Sequence, residues 1–433
     1  MNRFFRIAFI LFFLTTFCSG EVLAKSRKKP DVPQEVIHLD VEKNEQVKNG
    51  IISSMKEKET DEDLIKDGIN DNIDTEFSIF DNIIDKDKDK DHPFKIEEES
   101  LFGRIYKKKL ERTSIPSYLL REELTYKYKK GPVDKVQFYG AYQGRLGASF
   151  TGNDYDTTYE NGFAEVGVVG DFRDKNTDFK MQLNLRPISG ESYFRGMISD
   201  IYIMNTAIPH HKVIVGNSRN QIGFEGGASS YTLPFAARSQ IARNFGNVRA
   251  LGVRVVGNYS LADYQLALNS SDRYFHEFFP GAEFTGWVNF KPLGKTDGRY
   301  GNLIVGGGLN AGRRHENYAV GGAYVGYSYK KFAVNAEYAI ADGYNGRTFN
   351  ANKATGFYTT ASYRLTKRLH VLTRLDQFDP NSDISGDLRR EYTAGLNYFI
   401  KGQALRLILN YVFCDNQNMR DSHRIILGTQ ILL

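Results

Sequence analysis

Four arginines fall within one irregular segment, SRNQIGFEGGASSYTLPFAARSQIARNFGNVR (218–249): Arg219, Arg238, Arg243 and Arg249. A guanidinium group offers a rigid fork of donors that matches phosphate or carboxylate oxygens. Arg238 and Arg243 lie five apart, with Pro234 ahead of them and Gly246 behind, so the spacing predicts a short helix there. Glycines and Pro234 interrupt any strand, and the segment is too long for a tight turn. Folded into a hollow structure, it would carry its donors toward the axis; left on the outside, it would hold them in bulk solvent. Covalent or metal chemistry finds less support. The eight histidines stand in neither GxSxG nor HExxH, so no nucleophile and base are set out together. His210-His211 reads as a solvated pair at a turn. The only cysteines, Cys18 and Cys414, exclude a CxxC module and a disulfide framework. No enzymatic activity, cofactor, metal site or nucleic-acid partner is expected.

The elements that must position these arginines begin after a leader. Arg3 and Arg6 precede an apolar run, IAFILFFL (Ile7 to Leu14), and Val22-Leu23-Ala24 supplies small residues for cleavage, so residues 1–24 read as a signal peptide. Charge then divides the chain. Residues 31–103 hold 22 acidic and 9 basic side chains, whereas residues 104–433 hold 42 basic and 29 acidic. With its DKDKDKD run (Asp85 to Asp91) and few aromatics, residues 25–132 read as a charged periplasmic segment, disordered or partly helical. The basic stretch 102–130 could touch anionic lipid, peptidoglycan or a periplasmic partner, or be a solvated linker. The whole sequence holds 40 Gly, 26 Tyr and 30 Phe against one Trp and 11 Pro, a balance that suits many glycine-interrupted strands.

From Val133 onward hydrophobicity alternates with period two. In FKMQLNLR (Phe179 to Arg186), Phe179, Met181, Leu183 and Leu185 oppose Lys180, Gln182, Asn184 and Arg186. FAVNAEYAI (332–340) and ALRLILNYVF (404–413) repeat the pattern, with Asn335, Glu337, Arg406 and Asn410 on the polar side. The alternation predicts strands near 134–150, 159–171, 177–186, 195–206, 211–217, 245–258, 260–269, 283–291, 300–311, 316–329, 331–341, 354–364, 367–377, 388–399, 402–413 and 421–433. Tight turns are expected at Ser260, Lys330-Lys331, Thr366-Lys367 and Lys401-Gly402, and longer links at 151–158, 270–282, 342–353, 378–387 and 414–420. An even count of sixteen antiparallel strands in an exported chain predicts, for residues 133–433, an all-β transmembrane barrel in the outer membrane of a Gram-negative bacterium. Tyr139, Tyr142, Phe172, Tyr202, Tyr327, Tyr329, Tyr398 and Tyr411 are expected to form girdles at the two bilayer interfaces. The polar parity would line a water-filled lumen with Lys180, Arg186, Arg254, Arg374, Arg406 and Arg424, balanced by Glu337 and Asp376. Such a lumen concentrates small anions; a pore without selectivity, or a surface barrel with a structural or adhesive role, is the alternative.

Two stretches resemble the phosphate-selective porin family (porin O and P type). The first is DFKMQLNLRP with VIVGNSRNQIGFEGG, SQIARNFG and Val248-Arg249-Ala250-Leu251-Gly252-Val253. The second is TRLDQFDPNSDISGDLRREYTAGLNYFIKGQALRLILNYVF, with an R-x-D-x-x-D-P-N loop, a T-x-G-x-N-Y strand and a K-G-x-x-L-R-L-x-x-N-Y hairpin. The resemblance runs from about residue 134 to the end, and it implies trimeric sixteen-stranded channels that pass anions, phosphate or polyphosphate among them. It also implies an anion path through Arg238, Arg243 and Arg249 near an inward loop, with Arg374 in the R-x-D strand. Lysines are few in this stretch, and Leu433 stands where the family has a terminal aromatic.

Overall fold

The structure is a computed structural model, and it describes residues 124–186, 196–246, 248–272, 277–343 and 353–433. The leader and the charged segment as far as residue 123 lie outside the described residues. So do residues 187–195, 273–276 and 344–352 of three links, and Asn247 in the arginine-bearing segment.

After a three-residue strand β1 (Thr125–Lys127), sixteen strands follow one another in antiparallel order. They open with β2 (Val133–Thr151), β3 (Asp154–Phe172), β4 (Thr177–Asn184), β5 (Ile198–Asn205), β6 (His211–Arg219) and β7 (Arg249–Asn258). Next come β8 (Ala262–Ser270), β9 (Ala282–Phe290), β10 (Asn302–Arg314), β11 (Glu316–Tyr329) and β12 (Phe332–Asp342). The last five are β13 (Lys353–Arg364), β14 (Leu369–Asp379), β15 (Arg389–Lys401), β16 (Leu405–Asn416) and β17 (Ser422–Leu432). Because β17 pairs with β2 from His423↔Phe150 to Leu432↔Ala141, the sheet closes on itself. Closure leaves no unpaired edge, the condition for strands to cross hydrocarbon. Among the described residues no helix is long and apolar enough to cross.

Burial is inverted relative to a soluble protein. Phe138 is 59% exposed while its neighbour Gln137 is 7% exposed. Leu407, Leu409 and Tyr411 of β16 face out, and Arg406, Ile408 and Asn410 are buried facing in. Period two sorts the side chains, and the closed sheet turns the two faces into an apolar exterior and a polar lumen. The outward face is therefore one that lipid covers. All sixteen strands expected from the alternation are present.

Three expectations are corrected. Residues 151–158 are not a loop: only Gly152 and Asn153 turn, and β2 and β3 stay paired from Thr151↔Asp154 downward. Nineteen residues at about 3.3 Å each give about 60 Å of strand, more than a ~25 Å apolar band needs even when tilted. The hairpin thus stands clear of the bilayer, where both faces meet water and polarity no longer marks a loop. Tyr139 and Tyr202 are buried in the wall on the lumen side rather than in a girdle, with the Tyr139 hydroxyl donating to Gln182 Oε1 at 2.8 Å. An aromatic at either parity looks alike in sequence. Turn lengths also alternate less strictly than expected. A long link, 291–301, joins β9 to β10 on the short-turn rim, and a single residue, His315, joins β10 to β11 on the other.

Candidate functional site

The segment between β6 and β7 folds into the barrel. Its apolar side chains Ile222, Phe224, Phe235, Ile241 and Phe245 are almost fully buried against the inner wall. Phe245 meets Phe378 at 5.5 Å between ring centroids, and Phe224 meets Tyr324 at 5.3 Å. Its α-helix, α1 (Gln240–Asn244), is capped by Ser239, whose side chain accepts from the Ala242 amide. The helix begins six residues after Pro234, later than the sequence suggested, so Arg238 lies ahead of it and Arg243 in its last turn. The position of α1 depends on Gly356 of β13, where any Cβ would press on Ile241.

Charged wall residues hold this loop by its backbone. Glu337 of β12 accepts from the amides of Phe224 (3.1 Å) and Glu225 (3.4 Å), and Asp376 of β14 accepts from that of Gln240 (2.7 Å). Within the loop, Glu225 accepts from the Ser239 amide at 2.7 Å. Carbonyls are met by guanidinium groups. Arg406 of β16 donates to Leu233 O (2.8 Å), and Arg374 of β14 donates to Ala237 O (3.2 Å) and Arg238 O (3.4 Å). Arg254 of β7 donates to the carbonyls of Ser218 and Arg219 and to Asn220 Oδ1. Arg238 turns back on its own loop, reaching Glu225 O, Ala228 O (2.8 Å) and Ser230 Oγ (3.1 Å). At the far wall, Tyr231 donates to Glu165 of β3, and Gln430 of β17 donates to Tyr231 O at 3.1 Å. Buried polar groups must find partners, and here the lumen face supplies them to a loop that would otherwise carry bare amides and carbonyls.

This changes the role of four expected site residues. Arg238, Arg374 and Arg406 are buried and donate to loop carbonyls, and Arg254 is buried against the end of β6 and Asn220 at the start of the loop, so these four are not open donors facing a solute. Alternation could assign their parity; it could not tell that a loop would cover them. Glu337 and Asp376, expected to balance lumen charge, serve the same loop. Arg186 is exposed two residues past the end of β4 and donates to Gly162 O at 3.3 Å. His211 is not simply solvated: its ring is hydrogen-bonded between Pro209 O and the Tyr264 hydroxyl, each at 2.8 Å.

The remaining cations form two groups of one design. Asp200 of β5 takes Lys180 Nζ and Arg249 Nε, each at 2.6 Å. Glu391 of β15 takes Arg243 at 2.6 Å and Arg424 at 2.7 Å. In each group one carboxylate is shared by two cations, so the three side chains together carry one net positive charge, with Glu165 also within electrostatic range of Arg249. Arg249, Arg243 and Arg424 retain side-chain exposures of 18%, 33% and 34%, enough for a solute or water to reach them. Arg219 lies within electrostatic range of Arg249 and Arg238, and Arg145 of β2 within range of Arg238 and Arg186. Sequence reading missed Asp200, Glu391 and Arg145. Parity could have found the first two, since Asp200 alternates with Ile201 and Ile203, and Glu391 with Leu396 and Tyr398 through Thr393 and Asn397.

Gly223 sits at φ +73 where the loop turns onto the wall, and a Cβ there would collide with the Glu337 carboxylate. Gly223→Ala should therefore weaken loop docking by about 1–3 kcal/mol. The expected sign is faster tryptic cleavage at Arg238 and Arg243 while the barrel keeps its heat-dependent mobility on gels. Wild-type cleavage rates would show that the turn tolerates the side chain.

Residues 218–424 match the family described as phosphate-selective porin O and P. No curated protein sequence matches. Among solved structures, the chain is similar to a loop L8 deletion mutant of OmpT, an outer membrane protein of Vibrio cholerae. The TM-score is 0.51 at 13% identity, over 69% of this chain and 99% of that one. An anion-selective porin from Comamonas acidovorans gives a TM-score of 0.50 at 11% identity, over 69% and 99%. OmpF of Salmonella typhi, in complex with daunomycin, gives 0.50 at 14% identity, over 71% and 99%. At such identities the structural likeness speaks to the fold. Sixteen strands closed around an inward loop, with a match to the phosphate-selective porin O and P family that spans that loop and ten of the strands after it, identify a porin-type channel protein of the outer membrane.

Proposed function

We propose that the pore passes small anions in preference to cations, phosphate among them, and that selection occurs where the inward loop narrows the lumen. The observation that carries this reading is the sharing of Asp200 by Lys180 and Arg249 and of Glu391 by Arg243 and Arg424. The three side chains of each group sum to one positive charge, and low-dielectric walls focus its field along the path. Arg219 adds positive charge near Arg249, and Arg145 adds it near Arg238. The anion path we propose thus runs past Arg249, Arg219, Arg243 and Arg424, and the buried Arg238, Arg254, Arg374 and Arg406 act by keeping the loop in place. In this reading the leader 1–24 is removed on export, residues 25–132 remain on the periplasmic side, and three copies assemble as a trimer.

Purified protein in a planar bilayer should show stepwise currents with a reversal potential of anionic sign under a salt gradient. Added phosphate should reduce the chloride current at concentrations where sulfate has less effect. A cation-signed reversal potential would overturn the anion path; equal competition by sulfate and phosphate would leave anion preference standing and remove phosphate from it.

A further inference from the structure

The rim carrying the short turns, the periplasmic one in barrels of this kind, is basic. Lys330 and Lys331 join β11 to β12, Lys367 and Arg368 lie between β13 and β14, Lys401 ends β15, and Lys175 lies between β3 and β4. All are exposed except Arg368, which is half-buried. Apolar residues stand beside them at the edge of the outward band: Tyr329 and Phe332, Leu365, and Ile400. The cations therefore begin at the depth where hydrocarbon ends. Lys330 Nζ lies 5.0 Å from the centroid of the Tyr329 ring, an aromatic stem-and-charge arrangement suited to an interface. Lys175 and Lys330 also hold φ values of 63° and 54°. Glycine or asparagine would make those turns with less strain, so turn formation alone does not account for a lysine at both. The opposite rim differs in sign, with Asp154, Asp156 and Glu160 exposed on the tall hairpin and Glu316 beside the His315 turn.

We propose that this basic rim is a collar that binds anionic phospholipid headgroups of the periplasmic leaflet. A phosphodiester offers acceptor oxygens to ammonium and guanidinium donors, and clustered cations at a bilayer surface attract anionic lipid. The adjoining apolar residues would carry the acyl chains of the same molecule, which free phosphate does not possess.

The test uses the purified full chain in mixed phosphatidylglycerol and phosphatidylcholine, with retained lipid counted by native mass spectrometry. Phosphatidylglycerol should be enriched about fivefold or more, as expected of even one engaged cation. The enrichment should vanish in a variant carrying K175Q, K330Q, K331Q, K367Q, R368Q and K401Q, while ion preference in bilayers stays as in wild type. Should that variant fail to fold, the triple change K330Q, K331Q and K401Q should lower the enrichment measurably. Equal retention of the two lipids by wild type, or enrichment that survives either variant, overturns the collar. So does displacement of phosphatidylglycerol by inorganic phosphate at equal concentration, which would assign the site to the free ion. Binding to peptidoglycan sacculi without preference between the lipids would overturn it as well.

Discussion

Arg249→Glu should reverse the ion preference of the pore. In the wild type Lys180 and Arg249 share Asp200, leaving a charge of +1; with glutamate at 249 the same three residues carry −1. Two unit charges about 4 Å apart interact by about 1 kcal/mol in water, so a two-charge swing is worth about 2 kcal/mol to a passing ion. That corresponds to roughly a thirtyfold fall in anion occupancy beside the group and a similar rise in cation occupancy. The effect should be largest at about 0.1 M salt, where the screening length is about 10 Å, and should shrink toward 1 M, where it is about 3 Å. Arg249→Gln should produce about half the shift in free-energy terms. Reversal potentials of both variants at low salt are the measurement. An unchanged reversal potential would place the Asp200 group off the conduction path while leaving the barrel and its loop untouched.

Arg374→Ala should enlarge the pore. This guanidinium is 3% exposed, lies 3.7 Å from Glu225 and 3.6 Å from Asp376, stacks 4.7 Å from the Phe235 ring centroid, and donates to two loop carbonyls. Its loss strands two buried carboxylates and two carbonyls at once, a defect of about 3–5 kcal/mol in loop docking. The strand ladder does not depend on it, so the barrel should still form. Single-channel conductance should rise, ion preference should fall, and trypsin should reach Arg238 and Arg243. Arg374→Lys should restore little, because an ammonium group cannot span both acids and both carbonyls. Conductance and protease resistance equal to wild type would mean that the remaining fasteners, Arg406 and Glu337 foremost, hold the loop alone.

Both variants act on features of different visibility in the sequence. Lys180 was assigned to the lumen by the alternation of FKMQLNLR, and the structure places it there, 8% exposed on the inner wall. The strands themselves were legible because β16 and its neighbours repeat one apolar residue in two, a local signal that survives without knowledge of the partner strand. Arg374 was legible as inward-facing by the same rule, but its role was not. Whether an inward arginine meets water or a carbonyl depends on residues 137 positions away, and period two carries no information about that. The polar stretch after Thr151 misled for a related reason. Above the bilayer both faces of a strand are wet, and the contrast that marks a strand disappears.

By itself, the sequence determined the closed barrel and the even strand count, which rest on side-chain alternation. It located the arginine-bearing segment by a break in that alternation without deciding that the segment folds inward. The tertiary structure alone decided which cations remain available. Only when the loop crosses the lumen do Arg238, Arg254, Arg374 and Arg406 become its fasteners, and only when β4, β5 and β7 lie side by side do Lys180 and Arg249 share one aspartate. A buried donor is drawn to the nearest unmet acceptor, and in a closed sheet that acceptor is far away in the chain and near only in space.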